Sequence, residues 1–290
     1  MNDPAGGVAA VPLSWSRSDP EQVCLFNGGR FTRVNAFFAA LLGALGTGAF
    51  YLALMAWPKS RLSIMFIKGG EIPPIIAAFT CWAVAILVVK WLKLRLQRRA
   101  LGYLVVPPDP DFVLSPATVE YVSAAIYETV DDHRHFVLFN RIMVALSNLR
   151  NLGRITDVDE ILRSQAENDE AGMETSYLFL QGLIWAIPVL GFIGTVLGLS
   201  KAIGGFGGVL AGASQIAELK PELQKVTAGL TEAFETTLEG LVAALLIQLA
   251  MTALKVAEQE FLDACHDYCL RHVVGRLRLL PLEPLRDDAP

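Results

Sequence analysis

The stretch TSYLFLQGLIWAIPVLGFIGTVLGLS, Thr175 to Ser200, runs for 26 residues without a charge. Crossing a hydrocarbon core of about 30 Å takes roughly 20 apolar helical residues, so this run can span a bilayer. Two similar runs precede it: Ala36 to Trp57, 22 residues, and Ile72 to Val89, 18 residues, both uncharged. A fourth, Gly240 to Leu254, has only 15. It becomes a span if its helix starts near Gly229, which places Glu232, Glu235 and Glu239 inside or at the edge of the bilayer. The alternative is a soluble amphipathic helix following three spans. The four-span reading sets the expected fold class: all-α, a polytopic membrane protein with four transmembrane helices, a helical cytoplasmic segment and an extended C-terminal cytoplasmic helix.

Composition agrees with that reading. Of 290 residues, 53% are hydrophobic and 18% charged, whereas ordinary soluble domains carry about 25% charge. With 24 Lys and Arg against 29 Asp and Glu, the chain lacks the basic footprint of a nucleic-acid binder. Four cysteines are too few for a disulfide-stapled scaffold. Pro4, Pro12, Pro20 and several charges occupy the place of a signal-peptide core, so the first span is expected to be an uncleaved anchor.

Lys and Arg near the span ends set orientation. Lys90, Lys93, Arg95, Arg98 and Arg99 follow span two, and Arg30 and Arg33 precede span one; Lys59, Arg61 and Lys68 between the spans make the contrast modest. The expected layout has a cytoplasmic segment at 1–35, spans one and two within 36–94 joined by a short outside loop at 58–71, and a cytoplasmic helical segment at 95–174. Spans three and four then occupy 175–257, around an outside segment near 201–228. A cytoplasmic helix and tail fill 258–290, the last eight residues being disordered. Within 95–174, Ile142, Ala145, Leu146 and Leu149 recur at helical spacing, with Arg141, Asn148 and Arg150 between them. Asp157 to Arg163 reads as a helix start with acids in its first turn, and Pro107-Pro108-Asp109-Pro110 as a linker.

Several residues could carry chemistry. Glu232, Glu235 and Glu239 share one helical face, and an ionisable group inside a membrane usually faces a bundle interior or a watery path. They line a cation route or pair with a partner, unless the span starts deeper and leaves them in interfacial water. Thr195, Thr236, Thr237 and Thr252 lie in spans three and four, where a threonine most often bonds its own preceding turn. Gly191, Gly194 and Gly198 form a small-residue face that permits close helix approach, and Pro188 removes one helix hydrogen bond and would kink span three. Cys265, His266 and Cys269 give too few ligands for a closed zinc site, and no cofactor is expected. No P-loop, GxSxG, HExxH or paired CxxC occurs, so an enzyme reading has no residue to stand on.

Two segments are recognisable together: Ala186-Ile-Pro-Val-Leu-Gly-Phe-Ile-Gly-Thr-Val-Leu-Gly198 and Gly229-Leu-Thr-Glu-Ala-Phe-Glu-Thr-Thr-Leu-Glu-Gly-Leu-Val-Ala-Ala244. Their order and spacing resemble the MotA/TolQ/ExbB proton-channel family over about 180–257, and the four-span layout is similar to its flagellar stator type. The resemblance implies a subunit of the bacterial inner membrane, with both termini cytoplasmic. It implies a homopentamer around a single-span MotB/TolR/ExbD-like partner that carries a membrane aspartate, with ion flow turning one against the other. A cytoplasmic effector would receive the work; nucleic acid is not a partner. By position, Thr195 and Thr237 match the family's pore threonines and Glu232 the glutamate five residues before the second. Leu246 stands where many members have proline, and Glu235 and Glu239 replace residues usually small or apolar. Glu235, Thr236 and Glu239 are therefore assigned to the pore mouth or an intersubunit contact. A non-conducting scaffold of the same fold and a secondary transporter are the other readings, and the sequence does not choose between proton and sodium.

The layout is testable by reporter fusion. A reporter after Arg99 or Arg278 should read cytoplasmic and one near Gly207 should read outside. A cytoplasmic signal at Gly207 would mean that span three or four does not cross.

Overall fold

The computed structural model describes residues 12–26, 28–107, 109, 112–152, 155–210 and 216–277. The first part of the N-terminal segment, Pro108 and Pro110 of the expected linker, and the tail at 283–290 lie outside the described residues. Two short helices open the chain, α1 (Trp15–Ser18) and α2 (Pro20–Val23), followed by α3 (Ala36–Ala56), α4 (Arg61–Lys68) and α5 (Ile72–Ala100). Next come α6 (Val119–Thr129), α7 (Val137–Leu152) and α8 (Ile155–Thr175), then the two longest, α9 (Leu178–Leu210) and α10 (Ile216–His272). Among the described residues there is no β-strand, only isolated parallel bridges from Leu13 to Val130 and from Leu114 to Leu277.

The four uncharged runs fall in α3, α5, α9 and α10, the four helices long and apolar enough to cross a membrane. Trp185, Phe192 and Leu246 are 77%, 65% and 61% exposed, which suits hydrocarbon rather than water. The chain is an all-α, multi-pass membrane protein. Two stretches expected as loops are helical. The loop at 58–71 contains α4, whose N-terminus is capped by the Ser60 hydroxyl accepting from the Ser63 amide at 3.1 Å. The outside segment near 201–228 is mostly the end of α9 and the start of α10. Charge in these stretches marks where the hydrophobic run stops; it does not stop a helix, because Lys, Glu, Gln and Leu are all good helix formers.

The residues form two compact units. One gathers the described parts of 1–35, 90–176 and 256–290. Its core includes Val122, Ile126, Phe136, Phe139, Ile142, Leu146, Leu162 and Phe261, so the periodic apolar face read at Ile142 to Leu149 is the buried one. Three stretches separated by two pairs of spans meet in this unit.

This unit also buries charges that the sequence reading left in solvent. Lys93 is fully buried, its Nζ 2.6 Å from Glu21 and 3.6 Å from Asp19, and it donates to the Arg33 carbonyl at 2.8 Å. Lys90, also fully buried, donates to Ser176 at 2.8 Å and pairs with Glu258 at 3.3 Å. Arg141, expected on a polar face, is 1% exposed; its Nε donates to Asp169 at 2.7 Å. Each ion meets an opposite charge and neutral hydrogen-bonding groups, the condition under which a buried charge is tolerated. Burial pushes the Asp19 carboxyl up, Lys93 pulls it back, and Glu21 adds to the rise. Cys265 and Cys269 are buried in this unit as free thiols, and burial pushes Cys269 up to about 12.

Asp131 anchors the start of the chain. Its carboxylate accepts from the amides of Trp15 and Ser16 at 2.8 and 3.1 Å and from the hydroxyls of Ser14 and Ser16 at 2.8 and 3.0 Å. Partial burial works to raise the carboxyl, but these four donors outweigh it and hold it at about 2, below the ordinary 3.8. A lowered carboxyl stabilises the fold fully above its ordinary value and loses that contribution as pH falls toward the folded value. Amide exchange at Trp15 and Ser16, corrected for intrinsic pH dependence, should therefore lose protection between pH 3.8 and about 2. Asp131→Asn should be less protected at neutral pH and show no such step.

Candidate functional site

The second unit comprises 36–89 and 177–255. Its centre is the contact between α9 and α10, made almost wholly of small residues. A Cβ built on Gly191 would lie 3.0 Å from the Thr236 carbonyl oxygen and 3.1 Å from Thr237 Cα. One on Gly198 would lie 3.0 Å from Ala233 Cβ, and one on Gly240 would lie 3.0 Å from the Ile187 carbonyl oxygen. Gly229 faces Ala202 at 3.1 Å. As α9 advances from Ile187 to Ala202, its neighbours retreat along α10 from Gly240 to Gly229, so the helices run antiparallel in fixed register. With no hydrophobic drive between helices in lipid, such backbone approach is the main source of association.

Gly194 is the tightest point. A Cβ there would come 2.7 Å from Thr236 Oγ1 and 3.0 Å from Thr236 Cβ, with Ile72 at 3.4 Å on the far side. The glycine face read from the sequence thus closes against the chain's own α10. The atoms that a side chain at Gly194 would strike belong to the same chain. Pro188 sits inside α9, which continues through it.

The threonines divide between this seam and its edge. Thr237, half-buried, donates to the Gly191 carbonyl across the seam at 3.0 Å. Thr195, also half-buried, donates back to Phe192 at 2.6 Å. Gly191 and Thr195 are four apart and so share a face. Thr195 therefore lies one turn along α9 from the Thr237–Gly191 hydrogen bond. Thr236 is buried and bonds Ala233 in its own helix at 2.9 Å, a packing position between α9 and the start of α5.

The acids of α10 do not act alike. Glu232 and Glu235 are half-buried and Glu239 is buried. The Glu232 carboxyl lies against Gly70, at the turn between α4 and α5, where φ is +87°. Only glycine suits that position, since any side chain would be strained by the left-handed backbone and would meet the carboxyl. Glu239 lines a pocket between α3, α4, α5 and α10. The residues that the sequence reading missed are those opposite the acids, Gly70, Thr80 and Cys81. Nothing in their local pattern marks them, because their role arises from α4 and α5 folding onto α10.

The site is a pair of antiparallel membrane helices sealed by small residues, with two hydroxyls about one turn apart and three carboxyls along one of the helices. Residues 138–266 match the model of the MotA/TolQ/ExbB proton channel family. The match begins in α7, well before the two recognisable motifs, and takes in α8 and α9 and most of α10. No curated protein and no solved structure gives a significant match.

Substitutions along α9 test the seam. Gly194→Leu should lower the thermal stability of the purified protein sharply, by the 1–3 kcal/mol or more that overpacking a filled interior costs. Gly182→Leu should be near neutral, because nothing lies within 4 Å of a Cβ there. Equal behaviour of the two variants in a thermal-shift measurement would contradict the seam.

Proposed function

We propose that this chain is the channel-forming subunit of an ion-driven motor in the bacterial inner membrane. In this reading it forms a homopentamer around a single-span partner that carries a membrane aspartate, and it couples proton or sodium flow to mechanical work. Both termini lie in the cytoplasm, on the side of the Lys and Arg cluster after span two, and the unit that gathers 1–35, 90–176 and 256–290 presents the surface for an effector.

The observation that carries this reading is the family match over 138–266, which takes in Thr195 and Thr237, with the Thr237 hydroxyl bonded across the seam to Gly191, one turn along α9 from Thr195. A hydroxyl both donates and accepts. It can hold water or a partially dehydrated ion beside the partner's carboxylate without a fixed charge that would trap the ion. An acid nearby raises the pKa of that carboxylate by like-charge repulsion and favours proton uptake. Glu232 is assigned this part, and Glu235 the approach to it.

Thr195→Val and Thr237→Val keep the side-chain shape and remove the hydroxyl. Thr237→Val loses one interhelical hydrogen bond, about 0.6 kcal/mol on average in membranes, so protein levels should remain near normal. Ion flux into proteoliposomes holding the chain and the single-span protein encoded beside it should fall at least tenfold in both variants. Glu232→Gln should shift the pH dependence of the flux. Full flux in both valine variants would assign the threonines to packing and favour a non-conducting scaffold.

A further inference from the structure

A second feature of the membrane unit lies outside the α9–α10 seam. A cavity of about 500 Å³ sits between α3, α4, α5 and α10, lined by Phe50, Met65, Cys81, Val242 and Leu246 among other apolar side chains. Its volume is that of small-molecule pockets, commonly about 300–1,000 Å³. Two polar side chains line it, Glu239 and Thr80. Glu239 is 7% exposed, and neither of its carboxylate oxygens meets a hydrogen-bond partner in the chain. The Thr80 hydroxyl is likewise buried and unbonded.

Glu239 is an exception to how this protein treats charge. The other buried ions among the described residues, Asp19, Glu21, Lys90, Lys93, Arg141, Asp169 and Glu258, all have opposite charges at hand. A buried carboxylate left unpaired is costly. No cationic side chain lines the pocket, and the nearby titratable groups are Tyr51 on α3, Cys81 on α5 and Glu235 on α10 itself. The pocket wall supplies no compensating charge, so the carboxyl is either held neutral or met by a cation from outside the wall. A bare metal ion is a poor candidate, because one carboxylate and one hydroxyl fall well short of the six or more oxygens that a hard cation takes.

We propose that this pocket binds a hydrophobic amine, its ammonium group held by Glu239 and the Thr80 hydroxyl and its hydrocarbon body among the apolar walls. The ammonium supplies donors to both carboxylate oxygens and to the hydroxyl. The mouth is formed by Leu62, Leu238 and Leu246, all exposed, so the ligand enters from the bilayer, where an amphiphilic amine concentrates. The site is independent of the ion-motor reading.

The test uses the full chain in lipid nanodiscs and two photoreactive probes that differ at one group, a diazirine-bearing decylamine and the corresponding decanol. Crosslinked peptides are mapped by mass spectrometry. The amine should label α3, α5 and α10 around the pocket at least tenfold more than the alcohol, and unlabelled decylamine should compete. Glu239→Gln should reduce amine labelling to the level of the alcohol. Leu246→Trp, which narrows the mouth without touching the acid, should suppress pocket labelling by the amine, and this variant carries the test if Glu239→Gln does not fold. Equal labelling by amine and alcohol in the unaltered protein would overturn the proposal in favour of a slot for an acyl chain. No labelling of these peptides by either probe would overturn it in favour of a face covered by a second copy.

Discussion

Close approach of α9 and α10 is the constraint from which the rest of the membrane unit follows. Two helices in lipid gain nothing from merely hiding apolar surface, so they must meet at backbone distance to hold. Gly191, Gly194, Gly198, Gly229 and Gly240 make that possible, and Ala202 and Ala233 complete the seam. Because each small residue fits one partner, the seam also fixes the register. The register in turn sets Thr237 on the Gly191 carbonyl, one turn from Thr195. It also determines which faces of α10 remain for other tasks: Glu232 reaches Gly70 and Glu239 reaches the pocket among α3, α4 and α5.

A different constraint governs the unit outside the spans. Its three stretches come from before span one, between spans two and three, and after span four. Buried ion pairs lock it: Glu21 with Lys93 joins residues 72 apart in sequence, and Lys90 with Glu258 residues 168 apart. Such pairs contribute little net stability against a hydrophobic replacement, but breaking one partner is expensive. They therefore discriminate the right long-range docking from wrong ones. The basic cluster after span two is the source of two of these buried cations.

Much of this was legible in the sequence. Uncharged runs located all four spans, since a hydrocarbon core imposes length and composition directly. The glycines and the acids of α10 stood out through their spacing, the threonines only through the resemblance, and the family match extends over both motifs that suggested it. The buried roles of Lys90, Lys93 and Arg141 were not legible, because a charge reads as solvent-facing until its partner is known, and each partner lies far along the chain. The extension of α9 and α10 past the expected span ends escaped for a related reason: polar residues end a membrane segment without ending a helix. Glycine spacing showed that something packs closely on α9, but not whether it belonged to the same chain.

That last point admits a direct measurement. In a background lacking the native cysteines, Gly198→Cys with Ala233→Cys places two thiols across the seam, where the Cβ positions stand 3.0 Å apart and oxidation is geometrically feasible with slight relaxation. Oxidised in native membranes and resolved on a denaturing gel, the double variant should form its disulfide within one chain and migrate as a monomer of altered mobility. Each single variant should form none. A crosslinked dimer from the double variant, or no disulfide at all, would mean that α9 and α10 are not sealed to each other within each subunit.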